Sequence, residues 1–106
     1  MLPRRTFLIV TALISGAIAV PAHAATIQIV MDNLVVSPAQ STAKVGDTIE
    51  WINKDVFVHT ATARNGDFDV NMPAKKTVTS VLTKAGTTEY YCRFHPNMKA
   101  KLTVAP

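Results

Sequence analysis

From Thr26 onward the apolar residues alternate with polar or small ones in short runs, and turn-forming residues interrupt them about every ten positions. The runs are Thr26 to Met31, Leu34 to Val36, Thr48 to Ile52, Thr60 to Ala63, Thr77 to Leu82, Thr88 to Cys92 and Lys101 to Val104. Between them stand Asp32-Asn33, Val45-Gly46-Asp47, Asn53-Lys54-Asp55, Asn65-Gly66-Asp67, Lys84-Ala85-Gly86 and Pro96-Asn97, each rich in residues that favour turns. A period of two is the mark of a strand with one buried face. In "TIEWIN", Ile49 and Trp51 therefore share a face, and Trp51 and Tyr91 are expected in the core. Tyr90 and Tyr91 point to opposite faces, so only one of them enters it. Val78 and Val81 are three apart, an off-phase step that predicts a bulge. No segment after residue 24 sustains helical periodicity. The pattern predicts an all-β fold, an antiparallel Greek-key β-sandwich.

The first residues, "MLPRRTFLIVTALISGAIAVPAHA", follow another rule. Arg4 and Arg5 precede an apolar run from Phe7 to Val20, and Ala22-His23-Ala24 offers the small residues of a cleavage site. The run is shorter than the ~20 residues that span a bilayer. Residues 1–24 read as a secretory signal peptide and residues 25–106 as one domain in the periplasm, with no membrane span after cleavage. The paired arginines fit a Sec or a Tat route. Eleven Lys and Arg less Arg4 and Arg5 leave nine against seven Asp and Glu, so the processed chain carries a charge of about +2. These charges are interspersed, with few aromatics between them, and a nucleic-acid partner is not expected.

Export sharpens the question posed by the chain's single cysteine, Cys92. An odd thiol in an oxidising compartment calls for burial, a second chain or a metal. His95 and Met98 follow Cys92 at steps of three, placed by the pattern in a short loop before the last strand. Thiolate, imidazole and thioether together are soft donors and suit copper rather than magnesium or calcium. Zinc accepts the first two, but methionine is not among its usual ligands. One further histidine in the domain, His59, supplies a second imidazole. Two histidines, a cysteine and a methionine compose a His₂Cys trigonal set with a weak axial Met.

With "VGDTIEWINKD" (residues 45–55), His59 and "YYCRFHPNMKAKLTV" (residues 90–104), the chain resembles the cupredoxins, the small blue-copper proteins of the plastocyanin and azurin superfamily. The short Cys-x₂-His-x₂-Met spacing is most similar to the amicyanin type, with plastocyanins and pseudoazurins carrying a longer gap. The resemblance implies one copper per chain, with His59, Cys92 and His95 as equatorial ligands and Met98 axial. It also implies a one-electron carrier cycling between Cu(I) and Cu(II), not an enzyme, acting as a monomer that docks transiently with redox partners near His95. A copper-binding module for delivery or storage is the alternative. Phe57, Met72, Pro73 and Pro96 are expected as an apolar collar around His95, while Lys54, Arg93, Lys99 and Lys101 form either a steering fringe or a solvated face. Thr60 stands where amicyanin-type relatives usually have Asn. If Thr60 cannot replace the hydrogen bonds of that Asn, the two ligand loops are less well tied and Thr60→Asn gains stability; if it can, the substitution brings no gain.

Overall fold

The computed structural model describes residues 23–106, so most of the signal peptide assigned to residues 1–24 lies outside the described residues. Nine strands follow in order: β1 (Thr26–Asp32), β2 (Val35–Ser37), β3 (Gln40–Lys44), β4 (Thr48–Asn53), β5 (His59–Ala63), β6 (Asp69–Met72), β7 (Thr77–Val81), β8 (Gly86–Cys92) and β9 (His95–Ala105). They form a four-stranded sheet, β2-β1-β4-β7, and a five-stranded sheet, β3-β9-β8-β5-β6. This is the all-β sandwich that the alternation predicts. Among the described residues no helix is long and apolar enough to cross a membrane.

Two strand pairs run parallel, β1 with β4 and β3 with β9. Alternation along a single strand carries no information about the direction of its neighbour, so these pairs could not be read from the pattern. The strands β3 and β6 have no counterpart among the runs read from the sequence. Both are edge strands, and β3 turns only Ser41 and Ala43 inward while β6 fully buries only Met72. An edge strand packs little apolar surface, and "QSTAK" and "DVNM" accordingly lack a hydrophobic signature.

The core is a layer between the sheets. Ile29, Met31, Ile49 and Trp51 come from the four-stranded sheet, and Ala61, Met72, Tyr90, Cys92, Met98 and Leu102 from the other. Trp51 donates its indole N–H to Ser80 Oγ at 2.9 Å, so its polar atom does not oppose its burial. Tyr90, not Tyr91, is the core tyrosine. It packs edge-on against Trp51 with ring centroids 5.4 Å apart, while Tyr91 lies half-buried under the Arg64 guanidinium. The β8 register decides this, because Cys92 and Tyr90 share the inward face. The bulge expected near Val78 and Val81 is absent from the β4–β7 ladder, whose register is unbroken from Thr48↔Val81 to Ile52↔Thr77. Val81 simply faces solvent, and the inward position past the strand end is filled by Leu82.

The break in register lies elsewhere. One step along β8, from Tyr91 to Cys92, corresponds on β9 to the step from Lys99 to His95. Pro96, Asn97 and Met98 therefore bow out of the ladder at the end of the sandwich where Cys92 sits. Nearby, the β1–β2 hairpin turns on Asn33 and Leu34, both at positive φ (52° and 61°). Two positive φ values suit the right-handed twist of a two-residue hairpin. Asn tolerates that region, and leucine is strained in it by about 1–2 kcal/mol. Leu34 is exposed, so little packing is at stake. Leu34→Gly is expected to raise the unfolding free energy by up to about 1 kcal/mol, the strain relief being partly offset by the freer unfolded chain. Chemical denaturation of both proteins measures it, and a loss of stability would show that Leu34 is held by packing.

Candidate metal centre

Three of the four residues singled out by the sequence meet at one end of the sandwich. Cys92 closes β8 with no exposed surface, His59 opens β5 equally buried, and His95 opens β9 half-buried. Arg93 and Phe94 form the two-residue turn between the paired residues Cys92 and His95. His59 Nδ1 lies 3.6 Å from Cys92 Sγ, His95 Nδ1 lies 3.8 Å from it, and the three donor atoms fall within 4.8 Å of one another. A thiolate and an imidazole nitrogen bound to one ion at ordinary lengths and trigonal angles stand about 3.7 Å apart. The donors thus hold the spacing that a trigonal metal requires. Met98 lies within β9 rather than in a loop ahead of the last strand, in the bowed stretch, and is buried in the same cluster as Cys92. Its burial continues the inward alternation of Ala100, Leu102 and Val104 along β9.

The His59 ring is fixed from behind. Its Nε2–H donates to Asp55 Oδ2 at 2.7 Å, which directs the lone pair of Nδ1 toward Cys92. Asp55 also accepts the N–H groups of Asn33 at 2.7 Å and Leu34 at 3.0 Å, so one carboxylate ties the histidine to the strained β1–β2 turn. Burial pushes the Asp55 carboxyl upward. The hydrogen bond from His59 and those from Leu34 and Asn33 outweigh that push and leave it below the ordinary carboxylate range. Asn53, buried at the end of β4, holds the intervening loop. Its amide faces the carbonyls of Phe57, Met72 and Pro73, and its Oδ1 accepts the Asp55 N–H.

Asp55 and Asn53 were visible in the sequence only as turn residues. The available signal was the carboxylate four residues ahead of His59, a spacing that gains meaning once a loop rather than a helix joins them.

Thr60 makes hydrogen bonds that tie the two ligand loops. Its backbone N–H donates to Cys92 Sγ at 3.4 Å, and its hydroxyl accepts the Arg93 N–H at 2.9 Å while pairing with Thr62 Oγ1 at 3.0 Å. Thr60 is wholly buried, and it already joins the two turns. The shorter threonine suffices because β5 and β8 are neighbours in the same sheet.

The apolar collar also differs in part. Phe57 packs near His95, with ring centroids 5.8 Å apart, and Pro73 and Pro96 are exposed. Met72 is not on the surface: it pairs with His59 and lies in the core. Val56, Val58 and Phe94 are exposed on the two turns that carry the histidines, and alternation gave no hint of them because turns have none.

Two substitutions measure these supports. Asp55→Ala leaves His59 Nε2 and two turn amides without their partner, and is expected to cost roughly 1.5–3 kcal/mol in denaturant unfolding, the range for a hydrogen bond to a charged group. An unchanged midpoint would show that water replaces the carboxylate. Thr60→Val orphans the Arg93 N–H and is expected to cost about 1 kcal/mol or more, whereas Thr60→Asn brings no gain because the tie exists already. A Thr60→Asn protein more stable than the parent would restore the opposite reading.

Comparison with known proteins agrees with the fold. The family described as "Cupredoxin-like domain" matches residues 4–104. Amicyanin of Paracoccus denitrificans is 36% identical over 67 residues, which are 58% of this chain and 51% of that protein, so the match spans about half the length of that relative. The solved structure of amicyanin from Paracoccus versutus is similar with a TM-score of 0.63 at 26% identity, over 81% of this chain and 85% of that one. A copper-containing nitrite reductase from Thermus scotoductus SA-01 shares the fold, with a TM-score of 0.68 at 24% identity over 76% of this chain and 22% of its own. The chain belongs to the cupredoxin-like family.

Proposed function

We propose that residues 25–106 form a periplasmic one-electron carrier whose single copper is held by His59, Cys92, His95 and Met98. The observation that carries this reading is the convergence of one buried thiol and two imidazole nitrogens at trigonal spacing in a pocket braced by Thr60 and Asp55. Bound copper supplies a centre that gains or loses one electron. The chain's own part is to hold the donors still. Cys92 is fixed by the Thr60 N–H, and His59 by Asp55. The core encloses Met98 and shields the cluster from water. A donor set that neither oxidation state can rearrange freely keeps the cost of electron transfer low.

His95 is the ligand candidate nearest solvent, and the exposed side chains of Val56, Phe57, Val58 and Phe94 lie on the turns beside it. Such a patch suits brief contact with redox proteins: apolar surface for docking, with His95 as the route for the electron. Arg93 and Lys99 are exposed nearby, although Arg93 also approaches Asp69 at 3.5 Å, so the basic fringe is partly neutralised. Copper delivery or storage is less well supported, because Met31, Met72 and Met98 are all buried and present no thioether surface.

Copper added to the purified protein is expected to produce an intense visible thiolate-to-copper band at one equivalent. Cys92→Ser should abolish that band, since a hydroxyl lacks the soft covalent donor. A colourless copper complex of the parent protein would refute the proposed site. For the docking patch, Phe94→Asp is expected to keep the colour and slow electron self-exchange by roughly tenfold, equivalent to about 1.4 kcal/mol of encounter free energy. Line broadening in mixtures of the oxidised and reduced protein reads the rate, and an unchanged rate would place the contact elsewhere.

A further inference from the structure

The far end of the sandwich, where β9 finishes, holds a polar arrangement that the copper site does not use. Asp47 sits in the turn between β3 and β4 and is only 5% exposed. One carboxylate oxygen, Oδ1, accepts the backbone N–H of Ala25 at 2.9 Å, and the other, Oδ2, accepts that of Lys44 at 2.9 Å. The Asp47 main chain is fixed as well, its N–H donating to Lys44 O and its carbonyl accepting the Leu82 N–H. Ala25 is held a second time, through its carbonyl, by the Thr48 N–H at 2.9 Å. A cavity opens there, lined in part by Ala25, Ile27, Lys44, Asp47 and Ala105. The Lys44 and Ala25 N–H groups hold the Asp47 carboxyl below the ordinary carboxylate range, against the upward push of its burial.

Ala25 is also the residue that cleavage after Ala24 makes the first of the chain. In the uncut chain its nitrogen is a neutral amide with one hydrogen, and that hydrogen is spent on Asp47. Hydrolysis breaks the bond between the Ala24 carbonyl carbon and the Ala25 nitrogen. The hydroxyl of water goes to Ala24, which leaves as a carboxylate, and the nitrogen takes protons to become an ammonium. The same nitrogen then faces the same carboxylate with a full positive charge. Charge-assisted hydrogen bonds are roughly twice as strong as neutral ones. We propose that Asp47 is the receptor for the α-ammonium created by processing after Ala24, so that removal of the leader fastens β1 to the turn between β3 and β4. The proposal rests on the reading of residues 1–24 as a signal peptide. It gives a carboxylate remote from the copper ligands a task in maturation, since the processed chain is then held more firmly than its precursor.

The test begins with the full chain, exported and purified with copper. Its intact mass is expected to place Ala25 first. Parent and Asp47→Asn proteins are acetylated at the α-amine in denaturant near pH 6.5, where the clamp is absent and that amine, with an ordinary pKa of about 7.7–8.0, reacts ahead of the lysines. They are then refolded with copper and unfolded by heat beside unacetylated controls treated in the same way. Acetylation is expected to lower the parent midpoint by about 4–8 °C and the variant midpoint by less than half as much, with the copper band unchanged. Equal shifts in both, or none in the parent, overturn the clamp. A chain with one glycine inserted before Ala25 moves the ammonium away without touching Asp47, and it should show the parent's loss; an undiminished midpoint there also overturns the clamp. A mass that places the first residue elsewhere overturns the processing reading alone. The acetylation comparison is then made on protein released at Ala25 by an engineered protease site, and equal shifts there overturn the clamp.

Discussion

The wholly buried sulfur of Cys92 accepts the N–H of Thr60, and the hydroxyl of the same threonine accepts the N–H of Arg93. These two contacts lock the start of β5 to the end of β8, residues 32 and 33 positions apart in sequence. Everything else at this end of the sandwich depends on the lock. It sets the distance from His59 to the sulfur, and it fixes the base of the turn that swings His95 over the same point. Were β5 and β8 free to slide, the donor atoms could not keep a trigonal spacing without the metal's help. A shared hydrogen bond inside a dry core is stiff because breaking it leaves a buried donor unpaired.

The second brace crosses between the sheets. Asp55 joins His59 of the five-stranded sheet to the β1–β2 turn of the other, and Asn53 pins the loop between them. The sandwich is thereby closed at the site by polar contacts where apolar packing would have to exclude the imidazoles. Leu34 bears part of the cost, since its positive φ places its N–H on the carboxylate. In the proposed carrier this rigidity is functional: a centre whose ligands are already in place has little to reorganise when its charge changes by one. At the opposite end Asp47 serves a comparable structural role, receiving the start of β1 just as Asp55 receives the ring of His59.

What could be read from the chain follows from where each signal resides. Trp51, Ile29, Ile49 and Leu102 are buried on alternating strands, and their pattern announces the sandwich. The three donors His59, Cys92 and His95 were legible because their side-chain chemistry is scarce in this chain. The β3 and β6 strands were not, because Ser41 and Ala43 fill inward positions with too little apolar surface to register. Tyr91 was expected in the core, but the β8 register turns Tyr90 inward with Cys92 instead, and Met72 went from collar to core for the same kind of reason. Asp55 stayed hidden because its task is set by a partner on each side in space. Thr60 looked like a deficit beside the Asn of amicyanin-type relatives, and only the neighbouring strand shows that a hydroxyl reaches far enough.

If the polypeptide and not the metal sets the positions of the donors, the ligand shell should not change with the charge of the copper. X-ray absorption at the copper edge, recorded at pH 7 on the oxidised and reduced forms of the same sample, decides this. A shell of one close sulfur and two nitrogens that persists through reduction is the expected result. A shell without the sulfur, or one that loses a nitrogen or gains oxygens when the electron is added, would contradict it.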